Sequence, residues 1–208
     1  MTTARGKFIT VEGMDGAGKS SHLKFLAEAL GRRAPGIVMT REPGGTEFAE
    51  RLRQILLAQS MDPLAETLLM FAARSDHVRL VIRPALMAGN WVLCDRYSDA
   101  TYAYQGGGKG VSMQLIRVLA DSVHADVMPD RTFVFDCSFD IAHERLSRSG
   151  RALDRFETEG SAFFGRVRQT YLEIAKAEPQ RVTLIDATLD PVGVQAGLEA
   201  ALRSLEGT

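Results

Sequence analysis

A short apolar run followed by a glycine-rich turn and a Lys-Ser pair constrains this chain more than any other feature. Phe8-Ile9-Thr10-Val11 is apolar and β-branched, the pattern of a buried strand. Gly13-Met14-Asp15-Gly16-Ala17-Gly18-Lys19-Ser20 fits G-x-x-x-x-G-K-[ST]. From Ser21 onward Leu23, Leu26, Ala27 and Leu30 recur at helical spacing. Strand, loop and helix in that order form a P-loop. Backbone N–H groups at the helix start converge on a polyphosphate, and glycines remove side chains that would block it. Lys19 supplies an ammonium to the β- and γ-phosphates, and the Ser20 hydroxyl is a ligand for Mg²⁺.

Length and composition narrow the rest. With 208 residues, 45% hydrophobic and 25% charged, the chain suits one domain spanning 1–208. A formal net charge of −1 gives no global attraction for nucleic acid or an anionic surface. Phosphate selectivity then has to come from locally placed Arg and Lys. There is no signal-peptide apolar core and no apolar run near about 18 residues, which points to the cytoplasm and away from a membrane. Cys94 and Cys137 end or follow apolar strand-like runs and read as buried free thiols.

Strand-like runs recur at 7–12, 36–40, 90–95, 131–137 and 181–186. Helical patterns fill the intervals, among them 64–88, 112–124, 139–148, 159–178 and 191–205. This alternation predicts a three-layer α/β/α arrangement around a five-stranded parallel sheet. Active groups in such a sheet gather past the carboxyl ends of its strands.

Past the second strand stands Arg41-Glu42-Pro43-Gly44-Gly45-Thr46, a tight turn that also carries an Arg-Glu pair. On the next helix Arg53 lies off the apolar face made by Leu52, Ile55 and Leu56, the usual place of a solvated side chain. Within 64–88 Arg74 interrupts the apolar run, and His77 reads as a surface residue without a role. Pro84 is expected to kink or restart that helix. The third strand ends in Asp95-Arg96-Tyr97, where a phosphate and a metal ion would sit, or where a structural ion pair would. Thr101, Tyr104 and Gln105 offer hydroxyls, a flat ring and an amide for reading a base, or for packing a loop. Arg145, Arg148, Arg151 and Arg155 fall within eleven residues around Gly150. Such a segment, about 145–158, suits a lid that places guanidinium groups on a transferring phosphoryl group.

In their order these motifs resemble those of bacterial thymidylate kinases nearly end to end. The resemblance rests on Glu12-Gly13 with Asp15 in the P-loop, Thr40–Thr46, and Phe71-Ala72-Ala73-Arg74. It continues in Asp95-Arg96-Tyr97, Ala103–Gly107, Asp154–Glu157 and Ile185–Thr188. It implies the P-loop nucleotide kinase fold and Mg²⁺-dependent phosphoryl transfer from ATP to dTMP, giving dTDP for dTTP synthesis. It implies no nucleic-acid or membrane partner, and a homodimer formed through the helices around 64–88 and 112–124.

Roles follow from the same resemblance. Residues 13–21 would hold the ATP phosphates, with Arg145 against adenine and the Asp186–Thr188 loop opposite. Arg96 and Arg53 would hold the dTMP phosphate, for which a planar guanidinium is suited. Asp15 would accept from the deoxyribose 3′-hydroxyl. Pro43 would pack on the base, Phe71 would stack on it, Arg74 would bond its edge, and Thr101 and Gln105 would read it from the other side. Ser20 and Asp95 would hold Mg²⁺, with Glu42 nearby. Lys19, Arg96 and a lid arginine, Arg148 or Arg151, would act on the reacting phosphates.

Two departures leave choices open. The family's stacking Phe sits four residues before the base-reading Arg. Here that slot is Met70 and Phe71 is three before, so either side chain could be the platform. Some members carry an Arg after the acidic P-loop residue, where this chain has Gly16. The catalytic arginine would then come from the lid, as Arg148, Arg151 or Arg155. A P-loop kinase for another nucleotide, or a nucleotide-driven switch, are the competing readings. The switch has no need of a second anion site.

Overall fold

The computed structural model describes residues 5–150 and 154–203. Five strands form one sheet: β1 Phe8–Gly13, β2 Ile37–Arg41, β3 Trp91–Asp95, β4 Arg131–Asp136 and β5 Val182–Asp186. Their order is β2-β3-β1-β4-β5 and every pairing is parallel. All five lie within a residue or so of the expected segments.

The helices are α1 Lys19–Gly31, α2 Glu47–Ala58, α3 Pro63–His77, α4 Arg83–Met87, α5 Ser98–Thr101, α6 Met113–His124, α7 Phe139–Arg148, α8 Ser161–Ala177 and α9 Pro191–Arg203. They cover both faces of the sheet. Period-two alternation explains how β1 serves both. Ile9 and Val11 join the larger core with Leu26, Leu30, Phe133 and Phe135. Phe8 points the other way, into a core with Val78, Ile82, Leu86 and Val92. The buried hydroxyls of Thr10 and Thr132 satisfy each other at 2.7 Å.

The long pattern at 64–88 is one path of three pieces. α3 passes into a π-helical segment, Val78–Ile82, and the helix restarts as α4 with Pro84 in its first turn. Proline has no N–H to donate and crowds the preceding turn, and the wider π turn removes that conflict. The arginine-rich segment after the fourth strand begins on a helix rather than in a loop. α7 runs to Arg148, so Arg145 and Arg148 stand on its last turn. Arg151 lies outside the described residues.

This topology decides where chemistry can occur. β1 is central, and the chain crosses in opposite directions from it, outward to β2 and later to β4. The crevice at such a switch point opens past the carboxyl ends of the neighbouring strands. Asp95 pairs with Val11 across β3 and β1. The P-loop and the Asp95-Arg96 turn therefore leave the sheet side by side.

Candidate active site

A cavity of about 1100 Å³ sits in that crevice. At one end it is lined by the P-loop from Asp15 to Ser21, with Arg145, Arg148, Ala187 and Thr188. At the other it is lined by Pro43, Arg53, Met70, Arg74, Thr101 and Gln105, and Asp95 and Arg96 lie along it.

Two of the P-loop's glycines are demanded by the packing of the protein itself. A Cβ on Gly13 would meet the Phe135 carbonyl oxygen at 2.4 Å, and one on Gly16 would meet that of Ala142 at 2.2 Å. Both have positive φ, 128° and 81°. The loop is thus pressed between β4 and α7 before any ligand approaches it. Lys19 Nζ donates to the carbonyls of Gly13 and Met14 at 3.0 and 2.8 Å, within reach of the loop it serves. Burial, then the neighbouring Arg96, lower its pKa.

Arg96 is the one non-glycine with positive φ among the described residues, at 70°. A long side chain in the left-handed region is strained and needs support. Support comes from its backbone N–H, which donates to Val11 O at 2.9 Å. Its guanidinium donates to Asp15 Oδ1 at 2.6 Å, to the Tyr104 hydroxyl at 3.1 Å and to the Tyr171 hydroxyl at 3.4 Å. Burial alone would raise the Asp15 pKa, but Arg96 and Lys19 hold it below the usual carboxylate range. Arg53, half-buried, donates to the Pro43 carbonyl at 3.0 Å and faces the same space.

Arg74 is almost wholly buried. Its Nε donates to Glu42 Oε2 at 2.6 Å, and one terminal nitrogen donates to Tyr97 O and Thr101 Oγ1 at 3.1 and 3.0 Å. The other, NH1, is buried with no partner. A buried donor left open in a cavity wall calls for an acceptor on a ligand.

The family model described as thymidylate kinase matches residues 11–196. The chain belongs to the thymidylate kinase family. It is 50% identical over 203 residues to a thymidylate kinase of Bordetella pertussis, covering 98% of this chain and 97% of that one. It is 52% identical over 203 residues to one of Pseudomonas savastanoi pv. phaseolicola, covering 96% of each. The crystal structure of thymidylate kinase from Ehrlichia chaffeensis superposes with a TM-score of 0.78 at 37% identity, covering 96% of this chain and 99% of that one.

Against the family pattern, one expected contact is corrected. Phe71 does not line the cavity. It is buried with Ile116 and Ala120 and lies parallel to the His124 ring at 6.3 Å. Met70 faces the cavity instead. One helix position is a rotation of about 100°, which turns Phe71 into the α3–α6 contact and Met70 outward. Three further expectations change. Glu42 is committed to Arg74 and to His77 Nδ1, at 2.9 Å from its Oε1, rather than free for a metal. Arg155 does not line the cavity. Its NH2 is 2.6 Å from Glu66 Oε2, and its Nε donates to the Leu56 carbonyl. His77, read as surface, is fully buried between Glu42 and Thr40 Oγ1, the latter at 2.7 Å.

Sequence reasoning missed Glu12 in the same way. It is fully buried at the end of β1 and accepts the Tyr97 N–H at 2.6 Å and the Tyr171 hydroxyl at 2.8 Å. Burial first, and Asp99 second, push its carboxyl up to about 8. Between the ordinary carboxylate range and about pH 8 the folded chain therefore holds a proton the unfolded chain has lost. Stability falls as pH rises through that window. Glu12→Gln is expected to remove this slope. In thermal melts its Tm relative to the unsubstituted chain should rise from about pH 5 to about pH 8. A difference that stays constant with pH would refute the assignment.

Proposed function

We propose that the chain transfers the γ-phosphoryl group of ATP to the phosphate of dTMP, giving ADP and dTDP for dTTP synthesis, with the two nucleotides seated end to end in the one cavity. The observation that carries this reading is a cavity of about 1100 Å³ with a P-loop at one end and three inward arginines, Arg53, Arg74 and Arg96, at the other. That exceeds the roughly 300–1,000 Å³ usual for one small-molecule site.

Both reactants are anions, so bringing them together is the chief obstacle. P-loop N–H groups and Lys19 hold the donor phosphates, and Arg53 and Arg96 hold the acceptor phosphate. A dTMP phosphate oxygen attacks the γ-phosphorus as the bond to the β,γ-bridging oxygen breaks. The nucleophile is already ionised, so positioning and charge neutralisation suffice. Asp15, kept charged, accepts from the 3′-hydroxyl, while Met70 and Pro43 flank the base and Arg74 NH1 bonds its edge. Arg145 and the Asp186–Thr188 loop hold adenine.

A metal ion fits this site. Asp95 Oδ1 is buried without a partner, and Ser20 stands in the first turn of α1 beside the phosphate cradle. Among the described residues there is no group of three His, Cys, Asp or Glu that could cage a metal. Mg²⁺ needs none, since it keeps waters and leans on phosphates. Held by Ser20 and Asp95, it would neutralise charge on the β- and γ-phosphates.

The remaining assignments belong to the same reading. Residues about 145–158 act as the lid over one domain. A second copy of the chain covers the exposed Leu64, Leu68, Leu80, Met113 and Val118 of the α3–α6 side. The reaction takes place in the cytoplasm, in keeping with two buried free thiols.

The reading is tested by turnover with ATP and dTMP against dUMP, dCMP and dGMP. A clear preference for dTMP is expected, and equal turnover would refute it. The lid carries its own test. Arg148→Ala or Arg151→Ala is expected to lower kcat by at least about tenfold with less effect on ATP affinity. If neither variant changes kcat, the lid arginines are not catalytic.

A further inference from the structure

Glu66 lies on α3 one turn before Met70 and two before Arg74, on the same side of the helix. Unlike them it does not line the cavity and is fully buried. Three side chains converge on it, two as hydrogen-bond donors and one as an ion-pair partner. Gln105 Nε2 donates to Oε1 at 2.8 Å, Lys109 Nζ donates to Oε2 at 2.9 Å, and Arg155 NH2 lies 2.6 Å from Oε2. A buried carboxylate is tolerated because it is paired, and the two cations meet that need. Gln105 adds a neutral partner on the other oxygen, and it is the one of the three that lines the cavity.

The chemistry of that bond has a consequence for the base. Flanked by two cations, the carboxylate only accepts. Gln105 must therefore turn its NH₂ toward Glu66, which leaves its carbonyl Oε1 at the other end of the amide. No described residue donates to that oxygen. Both residues line the cavity, and each has a polar atom without a protein partner: a donor, Arg74 NH1, and an acceptor, Gln105 Oε1. A pyrimidine with a C4 carbonyl and an N3–H satisfies both. A 4-aminopyrimidine, with an amino group and a bare N3, sets donor against donor and acceptor against acceptor.

We propose that Glu66 is a positioning residue for base selection: by accepting Gln105 Nε2–H it fixes the amide carbonyl toward the base, and so sets the preference for dTMP over dCMP. This rests on the dTMP reading above. In Glu66→Gln the new amide oxygen is drawn to Lys109 and Arg155. Its NH₂ then faces Gln105 and turns that amide over.

The test is kcat/KM for dTMP and for dCMP in the full chain and four variants. The dTMP-to-dCMP ratio is expected to fall at least about tenfold in Glu66→Gln and in Gln105→Met. In the double variant it should fall no further than in Gln105→Met alone, since both act through one amide. Lys109→Met removes a cation and keeps the Gln105 bond, so Tm should fall while the ratio holds. If Glu66→Gln does not fold, Glu66→Asp keeps the charge, withdraws the oxygen and should lower the ratio likewise. A folded Glu66 variant with an unchanged ratio overturns the proposal. So does a ratio that Glu66→Gln still lowers in the Gln105→Met background. An unsubstituted chain without preference for dTMP overturns the dTMP reading itself.

Discussion

Arg96→Ala is expected to cut kcat/KM for dTMP by roughly 10²- to 10³-fold, the cost of losing one fixed donor to a phosphate in a closed site. ATP-analogue affinity should stay within about threefold, because the P-loop amides and Lys19 are untouched. Arg96→Lys is not expected to rescue it, since a point charge lacks the planar fork and its bonds to Asp15, Tyr104 and Tyr171. The same variant should change acid stability. A depressed carboxylate stabilises the fold above its unfolded pKa, and that contribution is lost as pH falls through its folded pKa. Without Arg96, burial acts on Asp15 with less opposition and its pKa rises. The variant's Tm deficit should therefore be largest near neutrality and narrow as pH falls through the ordinary carboxylate range. Equal loss of ATP-analogue and dTMP binding would make Arg96 structural.

Lys19→Met carries the second large effect. Met keeps the buried stem of Lys19 while removing the ammonium that otherwise sits on two P-loop carbonyls. We expect kcat to fall by roughly 10²- to 10³-fold, because that charge is worth most where negative charge is shared between the β- and γ-phosphates. dTMP binding without ATP should be retained, read as an unchanged Tm rise at saturating dTMP. A near-normal kcat would remove Lys19 from the reacting phosphates. Loss of the dTMP-induced shift would mean the two ends of the cavity are not separable.

How far these sites could be read from sequence depends on how local their cause is. β1 and the P-loop were legible because strand, turn and helix signals are contiguous there. The pieces around Pro84 were legible because one missing N–H has a local effect. The strand order was not, since neighbouring strands are set by crossover packing rather than by adjacent residues. Met70 and Phe71 are both apolar, so periodicity could not say which faces α6 and which faces the cavity. The buried ionisable groups were hidden for a plainer reason. Glu12 meets Tyr171 across 159 residues, Glu42 meets His77 across 35, and Glu66 meets Gln105 across 39. Nothing within one element marks a charge whose partner is so distant. His77, on a helix with Asp76 and Arg79 beside it, looked solvated until β2 and the Glu42 turn closed over it.

Phosphoryl transfer between two nucleotides requires that they occupy one cavity together. Calorimetric titration of dTMP into the chain, first alone and then saturated with a non-hydrolysable ATP analogue and Mg²⁺, tests this most directly. We predict one dTMP per chain in both titrations, with binding in the second as tight or tighter. If the analogue displaces dTMP, or if the saturated chain takes up none, the two guests share one seat and the account is wrong.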